Sequence, residues 1–319
     1  MLTDIIFLLI GLLLVIFGAN WLVDGASAIA RKLHISEFVI GLTIVGFGTS
    51  CPELVVSVTG AVNGLSDISI GNVLGSNIFN TLLILGLTAV VMPIGITRSN
   101  KRRDIPVTLL VTFLLVFCGM SKSIFGLGQG DGLSRVEGIV FLALFAVYMY
   151  SCFRNDEGSA EDSDAAKEYK LAVAILLTIA GLAGLLFGGH WFVNSAVGIA
   201  HRLGVSDKFI AITLLAGGTS LPELAACVIA AAKKKGQLAL GNILGSNLFN
   251  ILLILGISAT INPVSFSNIN LIDVCVLLLS MIMVWLSSYP FKKDRIDRWE
   301  GAIFLAVFAA YYVWLFIKL

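Results

Sequence analysis

The sequence predicts an all-α integral membrane protein. Hydrophobic residues make up 58% of its 319 residues and charged residues only 13%. The mean hydropathy is +0.97, and this composition excludes an ordinary soluble domain of the same length. Many apolar stretches exceed the roughly 17 to 25 residues that a helix needs to cross a bilayer, whereas barrel strands would show short alternating segments. We therefore expect a bundle of transmembrane helices.

Ten spans can be placed along the chain. The first carries Asn20 and Asp24 and has no basic leader before Asp4, so we expect a spanning helix and not a cleaved signal. Residues 154–169, between the fifth and sixth spans, are acidic and rich in Ser and Ala, which is typical of a flexible linker. The predicted spans are residues 4–29, 38–63, 69–93, 104–121, 135–153, 170–199, 208–232, 239–262, 271–289 and 299–317.

The chain contains one pattern twice. Residues 41–86 include G-T-S-C-P-E and G-N-V-L-G-S-N-I-F-N, and residues 211–256 include G-T-S-L-P-E and G-N-I-L-G-S-N-L-F-N. The offset between the copies is 170 residues, from 53 to 223 and from 21 to 191. Five spans per half is an odd number, so the second half must enter the membrane from the opposite side. We expect two inverted repeats, residues 1–153 and 170–319, a pattern typical of secondary transporters.

Positive charges predict the orientation of these spans. The loops on one side of the membrane hold 16 Lys and Arg residues, and those on the other side hold 5. The positive-inside rule then places both termini outside the cytoplasm and the linker inside it. The short linker and the lack of appended domains fit a bacterial inner membrane.

Each repeat has a proline and a glutamate inside apolar sequence. Pro52 and Pro222 lack an amide hydrogen, and their rings clash with the carbonyl four residues back, so the second and seventh helices should break. The third and eighth helices, which carry the glycine-rich motifs, are also expected to be broken. Free carbonyls at membrane depth are tolerated only where they are buried in protein or line a cavity. A carboxylate there costs roughly 2.5 to 3.5 kcal/mol on insertion scales, so Glu53 and Glu223 indicate a shared ion site near the midplane.

The available ligands are hard oxygens, which favour Ca²⁺ or Na⁺ over Zn²⁺ or Cu²⁺. Ca²⁺ takes about six to eight oxygens. Two bidentate glutamates, Glu53 and Glu223, would supply four, and the carbonyls of Thr49 and Thr219 would supply two more. The following helices add neutral side chains that suit sodium: Ser76, Asn77, Asn80, Ser246, Asn247 and Asn250.

The charge of the site predicts a mechanism. With both glutamates ionised, the site without cations would carry −2, and enclosing it should cost several kcal/mol per uncompensated ion. One Ca²⁺ or two Na⁺ would cancel that charge. The protein should therefore change sides when loaded and rarely otherwise, which is obligatory exchange.

Other interpretations stay open. A membrane glutamate can be a structural ion-pair partner, the hydroxyls of the G-T-S motifs can bond back to helix carbonyls, and Asn77 and Asn247 can cap a helix break. Buried glutamates can also carry protons, so H⁺/Ca²⁺ exchange is the alternative to Na⁺/Ca²⁺ exchange. A channel would need a continuous pore, which broken helices in inverted repeats argue against. The zinc, Ser/His and paired-aspartate patterns of intramembrane proteases do not occur in the sequence, so we expect a transporter and no enzyme.

At these motifs the chain resembles the calcium/cation antiporter superfamily, specifically sodium/calcium exchangers of the prokaryotic type, over nearly its whole length. The resemblance implies that Glu53 and Glu223 are central ligands shared by Ca²⁺ and Na⁺, with carbonyls from Thr49 and Thr219. It also implies that the first and sixth helices slide across the core. The outer sodium sites that it implies are formed by Ser50, Ser220, Ser76, Ser246 and the carbonyls of Gly46 and Ala216.

The chain departs from many relatives at one position. Potassium-dependent relatives carry Asp at the end of the second G-S-N-x-F motif, where this chain has Asn250, mirroring Asn80. With no third carboxylate, we expect K⁺-independent exchange, which a third sodium on neutral ligands would make electrogenic. The expected partners are Ca²⁺, Na⁺ and lipid. No cofactor and no obligatory protein partner are indicated, and no basic run with aromatics or phosphate loop suggests nucleic acid or nucleotide.

Overall fold

A computed structural model describes residues 1–126, 130–156, 158, 169–204, 216–266, 269–288 and 294–318. Most of the predicted linker and the first part of the predicted seventh span lie outside these residues.

The described chain is mostly helical, with two short antiparallel strand pairs. The first half contains α1 Leu2–Leu33, α2 Glu37–Thr49, α3 Cys51–Val62, α4 Asp67–Val91, β1 Ile94–Gly95, α5 Ile105–Gly119, α6 Ser121–Phe125, β2 Gly132–Leu133 and α7 Arg135–Arg154. The second half contains α8 Leu171–Arg202, α9 Ala216–Gly218, α10 Leu221–Ala232, α11 Gly236–Ile261, β3 Val264–Ser265, α12 Leu271–Ser288, β4 Arg295–Ile296 and α13 Arg298–Lys318. Strand β1 pairs with β4, and β2 pairs with β3.

Each of the ten predicted spans overlaps at least one helix. Within the described residues, seven helices are long and apolar enough to cross a membrane, or eight if the bent pair α2 and α3 forms one span. Helix α10 is apolar but has only 12 residues, and the residues that precede α9 are outside the described part. The prediction of an all-helical membrane protein is confirmed at this level.

The second helix is broken as predicted. Helices α2 and α3 meet at Ser50 with a bend of 51° between their axes. Pro52 lies in the first turn of α3. Backbone amides there have no carbonyl acceptor within the helix, so the missing amide hydrogen of proline costs no hydrogen bond. The corresponding proline, Pro222, lies in the first turn of α10, which follows Ser220 in the same way.

The prediction that the third and eighth helices are broken was wrong. Helices α4 and α11 run continuously, and each contains a π-helical turn at the equivalent position, Phe79–Ile84 and Phe249–Ile254. Their motifs contain glycine but no proline. Glycine costs a helix only about 1 kcal/mol relative to alanine and leaves every backbone donor in place. A π turn absorbs the irregularity without ending the helix.

The two motif helices form the centre of the molecule. For the most apolar stretch of each helix, the buried share is 94% in α11 and 72% in α4, but only 11% in α13. Each motif helix packs against a peripheral helix of the other half of the chain. A Cβ added at Gly86 of α4 would lie 3.0 Å from the carbonyl of Gly301 in α13, and one at Gly138 of α7 would lie 2.8 Å from that of Gly256 in α11. Each half therefore covers the motif helix of the other.

Helices α1 and α8 pack against each other in antiparallel directions. A Cβ at Gly11 would lie 2.8 Å from the carbonyl oxygen of Gly188, and one at Gly25 would lie 2.7 Å from that of Ala174. Only small residues allow two backbones to approach so closely. The early part of α1 thus meets the late part of α8, and the late part of α1 meets the early part of α8.

Candidate cation-binding site

Two carboxylates meet where the two helix breaks face each other. Glu53 lies in the first turn of α3 and Glu223 in the first turn of α10, and each is only 1% exposed. The hydroxyl of Ser50 donates to Oε1 of Glu223 at 2.9 Å. The hydroxyl of Ser220 donates to Oε1 of Glu53 at 3.0 Å. Helix N-termini favour negative charge, so both breaks direct their positive ends at the carboxylates.

The serines occupy the N-cap positions that the sequence predicts, but their side chains do not cap their own helices. Each hydroxyl instead crosses to the carboxylate of the other repeat. The two breaks are therefore joined directly, and the prediction that Glu53 and Glu223 lie near each other agrees with these bonds.

Neither glutamate is neutralised by a basic side chain in the described part of the chain, where the ion pairs involve other acids. Oε2 of Glu53 and Oε2 of Glu223 are buried without a hydrogen-bond partner. A buried charge without compensation is costly. The arrangement therefore suits a cation between the two carboxylates.

The motif helices carry further buried neutral oxygens. Ser76 of α4 donates from its hydroxyl to Oε1 of Glu53 at 3.4 Å. Four further side-chain oxygens are buried without a partner, namely Ser246 Oγ, Asn80 Oδ1, Asn247 Oδ1 and Asn250 Oδ1. Because these oxygens come from hydroxyl and amide groups, they add coordinating capacity without adding charge.

Asn77 and Asn247 join α4 to α11. The Asn250 amide donates to Oδ1 of Asn77 at 2.9 Å, and the Asn77 amide donates to the carbonyl of Asn247 at 3.4 Å. The Asn247 amide donates to the hydroxyl of Thr81 at 2.8 Å. Both the oxygen and the nitrogen of the Asn77 side chain take part in this crosslink, which favours its structural interpretation, whereas Asn247 keeps a side-chain oxygen without a partner.

The threonines differ in surroundings. The hydroxyl of Thr49 is buried and lies 3.0 Å from the carbonyl oxygen of Val45, so the back-bonding interpretation of this hydroxyl agrees with the structure. Thr219 is partly buried and lines a cavity. Of the predicted carbonyl ligands, that of Gly46 accepts the Ser50 amide at 3.1 Å and also lies 3.5 Å from the Thr49 hydroxyl. Ala216 is the first residue of the three-residue helix α9.

The sequence analysis missed Asn72 and Asn242. The Asn72 amide donates to the carbonyl of Glu53 at 3.1 Å and to the hydroxyl of Ser57 at 2.9 Å. The equivalent Asn242 lies 3.2 Å from the Thr49 hydroxyl through Oδ1 and donates to the sulfur of Cys227 at 3.1 Å. These side chains hold the broken segments against the motif helices. The available signal was the first Asn of G-N-x-L-G-S-N, which occurs in both repeats.

A cavity of about 430 Å³ lies beside the site. It contains Cys51 and Thr219, which adjoin the two bonded serines, and one wall is formed by α8. There His190 Nε2 lies 2.9 Å from the side-chain nitrogen of Asn194, a hydrogen bond within one helix. The residues that line the cavity are Cys51, Pro52, Val55, Val56, Leu186, Gly189, His190, Val193, Asn194, Gly218, Thr219 and Pro222.

The donor set is that of a hard-cation site. In the described residues, no three or more His, Cys, Asp and Glu side chains gather in one place. Two carboxylates and several neutral oxygens are ligands that Ca²⁺ and Na⁺ accept, whereas zinc and copper sites use imidazole and thiolate.

Comparison with known proteins identifies the family. A sequence model described as "Sodium/calcium exchanger protein" matches residues 3–154 and 173–317. The chain belongs to the sodium/calcium exchanger family. Sodium/calcium exchanger MaX1 of Methanosarcina acetivorans is 32% identical to it over 98% of both chains. Inner membrane protein YrbG of Escherichia coli is 36% identical, over 80% of this chain and 79% of that protein.

Solved structures agree with this membership. A structure of the sodium-calcium exchanger NCX_Mj, soaked with Na⁺ and Ca²⁺, matches with a TM-score of 0.84 and 34% identity, covering 98% of each chain. The resemblance inferred from the motifs is confirmed. This sodium/calcium exchanger family member is an integral membrane transporter and not an enzyme.

Proposed function

We propose that the protein exchanges Na⁺ for Ca²⁺ across the membrane by alternating access. The observation that carries the proposal is the pair of buried glutamates, Glu53 and Glu223, each of which has one oxygen without a partner and the other bonded to a serine of the opposite repeat. Family membership and the names of the relatives MaX1 and NCX_Mj support the same function.

In this proposal both ions use the same central carboxylates. Ca²⁺ binds between Glu53 and Glu223, with the carbonyls of Thr49 and Thr219 completing its shell. Because Na⁺ carries half the charge of Ca²⁺, several Na⁺ ions replace one Ca²⁺ and use neutral oxygens as well. The outer sodium ligands are Ser50, Ser220, Ser76, Ser246 and the carbonyls of Gly46 and Ala216, with Asn80, Asn250, Asn77 and Asn247 as supporting polar groups.

Charge balance enforces the coupling. Two ionised glutamates carry −2, and one Ca²⁺ or two Na⁺ neutralise them before the site is enclosed, since enclosing bare charges costs several kcal/mol per ion. A third Na⁺ on neutral oxygens makes the exchange electrogenic. The lack of a third carboxylate, with Asn250 in that position, makes it independent of K⁺.

We further propose ten transmembrane helices in two inverted repeats, residues 1–153 and 170–319. The matched cross-packing of α4 with α13 and of α11 with α7 supports this arrangement, because the contact of Gly86 with Gly301 has its counterpart in that of Gly138 with Gly256. The distribution of Lys and Arg supports extracytoplasmic termini and a cytoplasmic linker at 154–169. The match to YrbG supports a bacterial inner membrane.

H⁺/Ca²⁺ exchange is the second candidate. The absence of a basic partner for Glu53 and Glu223 in the described residues favours it, because a proton also neutralises a buried carboxylate. The buried neutral oxygens of Ser246, Asn80 and Asn250 favour sodium, because a proton needs no coordination shell.

Uptake of ⁴⁵Ca²⁺ into proteoliposomes separates these functions. We expect uptake into Na⁺-loaded vesicles and none with a pH gradient alone. Glu53→Gln and Glu223→Gln should each abolish it, while Asp131→Asn, which changes a loop carboxylate outside the site, should retain it. Uptake driven by a pH gradient alone would establish the second candidate. Full uptake by Glu53→Gln would remove the site from either mechanism.

A further inference from the structure

The two ends of the α1 and α8 pair differ, although the helices are repeat equivalents. Because they pack in antiparallel directions, equivalent residues lie at opposite ends: Asp24 lies beside the early part of α8, and its equivalent Asn194 lies beside the early part of α1. At the Asp24 end, Ala19 and Val23 of α1 are 0% and 1% exposed. At the Asn194 end, the equivalents of these two residues line the cavity of about 430 Å³.

An ion pair joins the closed end. Lys233, at the C-terminus of α10, places Nζ 2.7 Å from Oδ1 of Asp24 and donates to the carbonyl of Asn20 at 3.1 Å. The side chains of Lys233 and Asp24 are 28% and 38% exposed, so the pair is partly shielded from solvent. One lysine thus ties the end of α10 to two successive turns of α1.

The open end has no such connection. The repeat equivalent of Lys233 is Asn63, at the end of α3, and the equivalent of Asp24 is Asn194. The amide of Asn194 bonds to His190 in its own helix. No hydrogen bond between Asn63 and Asn194 occurs in the described structure, and Asn194 instead lines the cavity, which lies between α8 and the N-terminal half of α3.

We propose that the ion pair of Asp24 with Lys233 is a lock that keeps the Asp24 end of the helix pair closed and biases the transporter toward the state described here. The side of the molecule at this end is called the locked face. The inference rests on the proposed alternating access, in which α1 and α8 move together across the core. That motion would pull Asp24 away from Lys233 and bring Asn194 toward Asn63. It would exchange an ion pair for two neutral amides, so opening the locked face costs more than opening the other.

A cysteine reporter can measure opening of the locked face. Leu221 is the repeat equivalent of Cys51, which lines the open cavity. Leu221→Cys, in a chain whose five native cysteines are replaced by alanine, should react with a membrane-impermeant maleimide in proportion to the time that this face is open. Comparing the labelling of inverted and right-side-out vesicles shows from which side of the membrane the cysteine at residue 221 becomes accessible.

Asp24→Asn should speed this labelling roughly two- to five-fold, the range that corresponds to a partly exposed ion pair. The charge exchange Asp24→Lys with Lys233→Asp should return the rate toward the native value. Asp4→Asn is the matched control, because Asp4 pairs with Arg202 of α8 at 3.1 Å, within the helix pair that moves as a unit. Its labelling rate should equal that of the native chain.

The reverse construction tests the lock directly. Asn194→Asp with Asn63→Lys places an acid and a base where they can pair when the open face closes. Because the locked face opens in the same motion, this variant should also speed labelling at residue 221. An unchanged rate in Asp24→Asn, or an equal increase in Asp4→Asn, would overturn the lock. Restoration by the charge exchange separates a lost lock from misfolding. The labelling assay requires no ion coupling, so failure of Na⁺/Ca²⁺ exchange in the native chain would refute the proposed function independently of the lock.

Discussion

The hydroxyl of Ser50 is bonded to the carboxylate of Glu223 at 2.9 Å, so a residue in one helix break holds the acid of the other. The return bond from Ser220 to Glu53 measures 3.0 Å. Each repeat therefore helps to orient the glutamate of the other, and neither half can form the site alone. The duplicated motif has its effect only when both copies face each other.

Loss of either serine hydroxyl should weaken ion binding equally. Hydrogen bonds to charged groups contribute about 1.5 to 3 kcal/mol, so Ser50→Ala and Ser220→Ala should each lower the apparent Na⁺ affinity about tenfold or more. The Na⁺ dependence of ⁴⁵Ca²⁺ exchange measures this effect. Ser280→Ala is a control, since that buried hydroxyl donates to the carbonyl of Leu277 within α12. An effect confined to one of the two site serines would contradict the reciprocal geometry.

The two asparagines that the sequence analysis missed should be important for stability. Asn72→Ala removes the donor to the Glu53 carbonyl and to Ser57. Asn242→Ala removes the donor to the Cys227 sulfur and one of the oxygens beside the Thr49 hydroxyl. Each buried group left without its partner costs about 1 to 3 kcal/mol.

Thermal unfolding of the purified protein in detergent measures this loss, and added Ca²⁺ should restore less stability to these variants than to the native chain. Asn155→Ala should unfold like the native chain, because that exposed amide, which follows the end of α7, donates to Ser151 one turn earlier and lies outside the site. A native unfolding temperature for both Asn72→Ala and Asn242→Ala would remove their role in holding the breaks.

Local sequence rules predicted part of this structure well. Pro52 and Pro222 fixed the positions where α3 and α10 begin, because a proline cannot continue a helix that already has four residues before it. The constant offset of 170 residues predicted that Glu53 and Glu223 would have equivalent surroundings, and their reciprocal serine bonds agree with it.

Contacts between segments that are distant in the sequence could not be predicted from such local rules. The glycines of the second motif suggested a break, but packing keeps α4 and α11 continuous through π turns. The sequence also left Asn77 undecided between ligand and structural roles, because only the placement of Asn250 and Asn247 shows that its amide is used between helices. The similarity of the two repeats likewise drew attention away from positions where they differ, such as Asn63 in the first repeat and Lys233 in the second.

A larger residue between α1 and α8 should destabilise the helix pair. A Cβ at Gly181 would lie 2.7 Å from the carbonyl of Gly18 and 2.8 Å from Cα of Leu22, and backbone atoms cannot move aside singly. Overpacking of this kind costs about 1 to 3 kcal/mol, so Gly181→Ala should lower the thermal unfolding temperature. Gly189→Ala, on the same helix, meets nothing nearer than 3.8 Å from Pro222 and should not. Equal stability of the two variants would contradict the close approach of the backbones.

A third carboxylate should make the exchange depend on a further cation. In the native chain the Asn250 amide donates to Oδ1 of Asn77 at 2.9 Å, and its own Oδ1 is buried without a partner. Asn250→Asp replaces that donor by an oxygen, so two acceptors then face each other, and the site charge changes from −2 to −3 if all three acids ionise. A monovalent cation or a proton would be needed to compensate both effects.

We therefore expect ⁴⁵Ca²⁺ uptake by the native chain to be the same in K⁺ and in choline. Uptake by Asn250→Asp should be slow in choline at neutral pH and should rise when K⁺ is added or the pH is lowered. Asn250→Ala is the matched control: it loses the same bond to Asn77 without adding charge, so K⁺ should not stimulate it. K⁺ dependence of the native chain would mean that neutral oxygens alone hold the extra cation, and the charge argument for K⁺ independence would then be wrong.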